Sequence, residues 1–300
     1  MAVILALLLD WFFREPPARL HPVVWMGTYL KTVGSNLTAN PPTKAFLLGG
    51  FYWLLGCGAV VGVYAGLEAL ITRASGGVEA ILAAFLLKPL FAFRMLLDEV
   101  VAVEEALQRN LEAARLRLRN LVSRPTESLS ESEVRESALE SLAENLNDSL
   151  VAPLFWFVLL GLPGAALYRF ANTADALWGY RGRWEWAGKF AARADDLLNY
   201  IPARITGLLL CGLACPWKTL SREAHKTPSP NSGWPMAGLA LCLGLRLSKP
   251  GAYTLHPNGR VPTTDDVRAG LRRAAWVGWS AGILAGLSTW MVGRGILGLF

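Results

Sequence analysis

Arg135-Glu-Ser-Ala-Leu-Glu-Ser-Leu-Ala-Glu-Asn-Leu-Asn-Asp-Ser-Leu150 runs without a break into Val151-Ala-Pro-Leu-Phe-Trp-Phe-Val-Leu-Leu-Gly-Leu-Pro-Gly-Ala-Ala-Leu-Tyr-Arg-Phe170. The first half sets Glu136, Glu140, Glu144 and Asp148 at every fourth position, and on an α-helix that spacing stacks four acids along one face. Each exposed like-charged pair one turn apart costs about 0.2–0.5 kcal/mol. The second half is apolar until Arg169 and is long enough to cross a bilayer. Acids leading into lipid call for something cationic upon them: Mg²⁺, an amine, or Arg and Lys from elsewhere in the chain. For Glu136 and Glu140 a solvated face is the alternative. Glu144, Asn145 and Asp148 lie closer to lipid, where exposed acids are costly, and there a functional role is the better reading.

The rest of the chain supports a membrane setting. Of 300 residues, 53% are hydrophobic and 17% charged, with 12 Trp, whereas soluble domains carry about 25% charged residues. Ala45–Ile71, Val78–Leu97, Ser149–Phe170, Ile201–Leu220 and Ala274–Phe300 each reach spanning length. Lys88 and Arg94 within the second are read as snorkelling or as marking its end. Met1–Leu9 is too short to cross alone, and it lacks the basic start and small-residue cleavage site of a signal peptide. Pro153, Gly161, Pro163 and Gly164 interrupt Ser149–Phe170, so a hairpin or half-helices are expected there. The expected fold is therefore all-α: a single polytopic membrane-embedded domain over 1–300. It has about 4–6 embedded helices, re-entrant or broken segments and helical cytoplasmic loops. Lys and Arg number 4, 6 and 9 in regions 10–44, 98–148 and 216–273, but 1 and 4 in 72–77 and 171–200. By the positive-inside rule the first group faces the cytoplasm. The net charge of +6 lies mostly between apolar segments and is not read as nucleic-acid binding.

Cys57, Cys211, Cys215 and Cys242 sit in apolar stretches and are read as small hydrophobes, with no partners for a zinc site. Leu97–Leu121 reads as one amphipathic helix ended by Pro125, and Ser130 with Glu133 has capping-box spacing for the next. The six prolines between 221 and 273 predict mostly loop, with Pro235–Leu247 an interfacial or re-entrant piece.

Five groups offer chemistry. The acid row is one. Asn172-Thr-Ala-Asp175 with Gly179-Tyr180 is the second, and Asp195-Asp196 through Asn199, Pro202 and Arg204 the third. His225-Lys226-Thr-Pro-Ser229-Pro-Asn231-Ser-Gly233-Trp234-Pro235 is a loop of donors, and Asp10, Glu15-Pro16, His21-Pro22 and Gly27 form the last. His21 is read equally as an interfacial cap and as a binding residue. Carboxylates without Cys or His suit Mg²⁺, which keeps waters and binds phosphate, while Arg, Lys and Asn suit phosphate oxygens. The Trp- and Tyr-rich region 171–200 suits a membrane interface or the stacking of a flat ligand. Gly182–Lys189 has the wrong spacing for a phosphate-binding loop, and neither a serine nucleophile elbow nor an HExxH motif is present.

Taken in order, these runs resemble the signature of the cobalamin-biosynthesis family CobD/CbiB. Glu140-Ser-Leu-Ala-Glu144-Asn145-Leu-Asn-Asp148 through Pro153 and Phe155 matches first, followed by the Asn172–Tyr180, Asp195–Arg204 and Ser229–Pro235 runs, with Asp10 through Gly27 fitting at the start. The resemblance covers nearly the whole chain. It differs where the family commonly shows Gly-Asp-Pro and this chain has Arg14-Glu15-Pro16, and where Arg-Asp-Thr is replaced by Arg124-Pro125-Thr126.

The resemblance implies a multi-pass protein of the cytoplasmic (inner) membrane with adenosylcobinamide-phosphate synthase activity. Such a ligase uses ATP to join adenosylcobyric acid to the amine of (R)-1-aminopropan-2-ol O-phosphate, or of ethanolamine phosphate. Mg²⁺ and ATP are then the expected cofactor and co-substrate. Glu140, Glu144, Asp148 and Asp195 are the expected metal ligands, and Glu144, Asp148, Asp175 and Asp196 the catalytic set. Arg204, Arg124, His225 and Lys226 are expected to bind phosphate, and Asn145, Asn172, Asn199 and Asn231 to orient carbonyls or phosphates. Tyr180, Ser229 and His21 complete the binding set, on a site facing the cytoplasm. The lipid bilayer, a second copy of the chain or other cobalamin-pathway membrane proteins are the partners the resemblance allows. The alternative is an AmpE-like membrane regulator or sensor that binds a ligand without turnover. A transporter with midplane acids ranks last, because the acids flank the apolar segments.

Overall fold

The structure is a computed structural model that describes residues 1–212 and 215–293. It is mostly helical: α1 Ala2–Phe13, α2 Pro22–Gly34, α3 Pro42–Ile71, α4 Gly76–Leu87, α5 Phe93–Leu107, α6 Leu111–Leu118, α7 Glu131–Leu146, α8 Ala152–Trp178, α9 Lys189–Cys211, α10 Trp217–Ala224, α11 Gly233–Leu243 and α12 Thr264–Gly293. An antiparallel ribbon of β1 (Leu247–Lys249) and β2 (Tyr253–Leu255) is the departure from all-α. Three helical stretches among the described residues are long and apolar enough to cross a membrane: Pro42–Ile71, Gly76–Leu107 and Glu131–Trp178. The backbone groups into two compact units.

The first unit holds Met1–Ala92, Ala152–Asn199 and the chain from Gly282. Here α3 packs along α8, α2 lies on both, and α1 packs on α4. Glycine lets α1 approach the end of α12, since a Cβ at Gly282 would overlap Leu7. The expected break in the 149–170 segment falls at Gly161, whose φ of 66° and ψ of −154° lie outside helical space. Pro163 follows within the second half-helix. A helix that restarts has backbone N–H groups without intrahelical acceptors, and Glu68 Oε1 accepts from Leu162 N at 2.9 Å. The charge at the end of the 45–71 stretch is thus the cap of a broken helix.

Lys88 does not snorkel. It sits in a 3₁₀ turn between α4 and α5, 7% exposed, with Nζ 3.0 Å from Asp10 and 2.9 Å from Glu15. Two carboxylates offset its desolvation where solvent was the expected partner. Arg14, where the family pattern has glycine, adopts φ 56° and ψ −145°, a region that costs other residues of order 1–3 kcal/mol. Arg14→Gly is accordingly expected to raise stability by about 1 kcal/mol, read as a higher melting temperature in detergent, whereas Arg14→Ala should not.

The second unit holds Phe93–Val151 and Tyr200–Ala281. The Ser130–Glu133 capping box is present and starts α7. The single helix expected over 97–121 is instead α5 and α6, divided where Asn110 Oδ1 accepts from Ala113 N at 2.7 Å and starts a new turn. A π-helical turn, Asn147–Val151, follows α7. Ile201–Leu220 is not one spanning helix: α9 begins at Lys189 and ends at Cys211, Gly212 takes φ 86°, and Pro216 precedes α10. Cys211 and Cys215, read as separate small hydrophobes, are joined as a disulfide across this corner. Of the two readings of 235–247, interfacial or re-entrant, the exposed interfacial one does not hold. Helix α11 is buried on nearly all sides against α7 and α10, as a helix apolar all round must be in a protein interior. The final helix begins at Thr264, well before Ala274, and the part of the predicted 274–300 span beyond Gly293, with Arg294, lies outside the described residues.

Candidate functional site

In the first unit the second sequence group meets the start of the third, Asp195 through Asn199. Asn172 and Asp175 lie one turn apart on α8, and Asp195, Asp196 and Asn199 lie on α9. Asp195 is gripped by two amides: Asn199 Nδ2 donates to Oδ2 at 2.9 Å and Asn172 Nδ2 to Oδ1 at 3.4 Å. Buried Tyr168 donates to Asn199 Oδ1 at 2.9 Å, so tyrosine, amide and carboxylate form one chain. An Asp195 held this way accepts hydrogen bonds and keeps a fixed orientation. Asp196 points elsewhere, half-buried. Burial raises its carboxyl above the usual range, and the Arg193 guanidinium at 3.7 Å offsets this only in part. Asp175 lies over Gly179, where a Cβ would overlap Oδ1, which gives the glycine after this aspartate a steric reason. Tyr180 is exposed just past the end of α8. The aromatic region is partly interior: buried Trp178 stacks on Trp184 with ring centres 5.9 Å apart and planes 13° from parallel.

The acid row lies in the second unit and is not a solvated face at its start. Glu136 is buried and takes Arg246 Nη2 at 2.9 Å and the Ser248 hydroxyl. Glu140, read from the sequence as a metal ligand, is buried and shares Oε2 with Arg124 Nη2 at 3.3 Å. Arg124, read as a phosphate binder, also donates to Ser137 Oγ at 2.6 Å. The cation demanded by the row's first half is therefore arginine from elsewhere in the chain. Tyr253 on β2 faces Glu140 and Glu144, and burial together with these carboxylates pushes its hydroxyl well above the usual range, so it stays protonated as a donor. Glu144 and Asp148 are half-buried. Asn145 Nδ2 donates to Ser141 O at 2.9 Å, and buried Asn147 joins Asp148 Oδ1 at 2.8 Å to Thr206 Oγ1 at 3.0 Å. Among the described residues no group of three or more His, Cys, Asp or Glu stands together at metal-holding distance.

The donor loop is built around Arg204. Its guanidinium lies between the rings of Tyr200 at 3.8 Å and Trp234 at 4.7 Å, and donates to Asn231 Oδ1 at 2.6 Å and Pro230 O at 3.1 Å. Ser229 Oγ accepts from Asn231 N and Ser232 N, both at 3.2 Å, and so shapes the turn into α11. His225 and Lys226 are exposed at its edge. His225 meets Trp234 edge-on, and Lys226 pairs with Glu223 at 2.6 Å. A flat guanidinium fits the two rings as an ammonium does not. Arg204→Lys is expected to cost about 1–2 kcal/mol and to change the Trp234 emission, as thermal melts and fluorescence will show. His21 caps α2 through Nδ1, which accepts from Val23 N at 3.3 Å, and pairs with Glu15 at 2.9 Å.

Tyr168, Tyr253 and Arg246 escaped sequence reasoning. Each stands alone in an apolar or proline-rich stretch, and no spacing marks it.

A family model described as CobD/CbiB protein matches residues 3–275. The chain is 41% identical over 262 residues to the probable cobalamin biosynthesis protein CobD of Methanothermobacter thermautotrophicus, covering 84% of this chain and 85% of that protein. It is 40% identical over 273 residues to the protein of the same description from Pyrococcus furiosus, covering 91% and 92%. The cobalamin biosynthesis protein CobD of Dehalococcoides mccartyi is 36% identical over 278 residues, covering 84% and 85%. No solved structure matches.

Proposed function

The chain belongs to the CobD/CbiB family of cobalamin biosynthesis, and on that premise we propose that it is an adenosylcobinamide-phosphate synthase. The proposed reaction is an ATP-dependent amide ligation in the cytoplasmic membrane. It joins adenosylcobyric acid to the amine of (R)-1-aminopropan-2-ol O-phosphate or of ethanolamine phosphate, at a site facing the cytoplasm.

The observation that carries this reading is the Asp195 clamp with Asp196 beside it. In the amide-forming step the amine attacks the carboxyl carbon that ATP has activated. The C–N bond forms, the C–O bond to the phosphate-bearing group breaks and that group leaves, and the nitrogen must lose a proton. A carboxylate whose pKa burial has raised is a better base for that proton than an ordinary one, and Asp196 has that property. Asp175, one turn from Asn172, is the other candidate. Asp195, fixed by Asn172 and Asn199, would orient the ammonium before it deprotonates. At the donor loop Arg204 has a positioning role, since it donates to the Tyr200 and Pro230 carbonyls and to Asn231 Oδ1. Within the second unit, His225 and Lys226 at the loop's edge are the first candidates to bind a phosphate, with Ser229 and Asn231 shaping the turn.

Mg²⁺ arriving on nucleotide phosphates needs only one or two protein carboxylates, which suits Glu144, Asp148 or Asp195 better than Glu140, already held by Arg124. Bound there, it would neutralise phosphate charge.

The test is an assay with purified protein, both substrates, ATP and Mg²⁺, with the product read by mass. The amide product is expected, with turnover at least tenfold lower in Glu144→Gln and in Asp195→Asn. Corrinoid binding with no ATP consumed and no product would replace this reading with the AmpE-like sensor.

A further inference from the structure

We propose that the first unit carries a binding groove for one acyl chain of an anionic phospholipid, with the lipid phosphate held at Arg19. The inference rests on the membrane setting of α3 and is independent of the catalytic reading. A cavity of about 530 Å³ runs along one face of α3, from Leu55 through Ala59 and Val63 to Leu67. At 1.5 Å per residue that is about 18 Å of helix, an elongated shape suited to an extended chain. Its floor is formed by Met26, Tyr64 and Phe170, all buried, and its rim by Leu55, Val63 and Phe85, all exposed. None of the residues lining it is charged, and the Tyr29 hydroxyl and Trp25 Nε1 donate to the Tyr52 and Arg19 carbonyls, so the lining is overwhelmingly apolar.

Both source and orientation of the occupant follow from the neighbourhood. The α3 helix is apolar enough to span, and Leu47, Phe51 and Leu54 on it are also exposed, so bilayer lipid is what this surface meets. Away from the Tyr29 ring, which meets Gly56, the groove is lined toward its other end by Leu20, Pro22 and Trp25. Exposed Arg19 lies in the same 3₁₀ turn as Leu20, and Trp25 Nε1 donates to the Arg19 carbonyl at 3.0 Å. Tryptophan and arginine at one end of an apolar groove mark the headgroup level and a phosphate partner.

The experiment adds phosphatidylglycerol or phosphatidylcholine to delipidated full-length protein in detergent and counts retained lipid by native mass spectrometry. One phosphatidylglycerol per chain is expected. Ala59→Trp, which fills the groove, should retain at least tenfold less. Arg19→Gln, an exposed change that leaves the fold alone, should lower phosphatidylglycerol retention about fivefold and that of phosphatidylcholine, whose phosphate charge is offset by its own choline, by less. Val63→Trp repeats the filling test should Ala59→Trp unfold. Equal retention in the filled and original proteins, no headgroup preference in the original, or displacement of phosphatidylglycerol by a neutral isoprenoid alcohol would each overturn the proposal.

Discussion

Gly161→Ala is expected to destabilise the protein by about 4 kcal/mol, and two costs build that figure. The backbone at Gly161, φ 66° and ψ −154°, lies where only glycine is at ease, and a side chain there costs of order 1–3 kcal/mol. The new Cβ would also overlap the Glu68 carboxylate, which must then withdraw from Leu162 N. A backbone N–H left without its acceptor costs about 1–3 kcal/mol more. The contrast is Gly58→Ala. Gly58 lies within α3, and a Cβ added there would meet nothing within 4 Å, so alanine should be neutral or stabilising by about 0.5–1 kcal/mol. Glu68→Ala should lose only the cap, and Glu68→Gln should keep most of it, because an amide oxygen still accepts. Thermal unfolding of the four variants in detergent orders them. A Gly161→Ala protein that melts with the original would mean the half-helix restart does not depend on that backbone.

The break at Gly161 was readable because glycine and proline within a few residues end helices by local sterics. Its cap was not, since Glu68 lies far away in sequence and looks like a stray charge at the end of an apolar run. The acid row shows the same division. Periodicity put Glu136 and Glu140 on one face and demanded a cation, but nothing in the proline-rich stretch around Arg246 singled it out as one of those cations. Apolarity misled twice. Ile201–Leu220 has spanning hydropathy, yet Gly212 and Pro216 end and restart the chain within it. Helix α11 is apolar all round, and hydropathy does not distinguish a helix facing lipid from one packed inside a protein. At the candidate site, the amide and acid motifs were legible as groups. The Asp195–Asn199–Tyr168 chain was not, because Tyr168 belongs to a mostly apolar segment in which no spacing ties it to Asn199.

Lys88→Met should be as damaging as any single change in the first unit, at about 3–5 kcal/mol. The lysine lies between Asp10, 0% exposed, and Glu15, with His21 2.9 Å from the second carboxylate. An exposed pair is worth about 0–1 kcal/mol, but removing one partner of a buried pair leaves carboxylate charge that water does not reach. The pH dependence gives a second readout. Burial pushes the Glu15 carboxyl upward, but the His21 hydrogen bond and the Lys88 charge outweigh it and leave its pKa below the ordinary 4.5. A carboxyl with a depressed folded-state pKa binds its proton more weakly folded than unfolded. Its stabilisation is therefore complete above the ordinary pKa and is lost as pH falls through the lowered one. Melting temperature in the original protein should drop on acidification below pH about 4.5, and Lys88→Met should start lower and fall less steeply over that window. Lys88→Arg, which keeps the charge, should retain the acid limb. If Lys88→Met melts within a degree of the original at neutral pH, the ammonium reaches water after all, and the snorkelling expected from its apolar surroundings is the correct description.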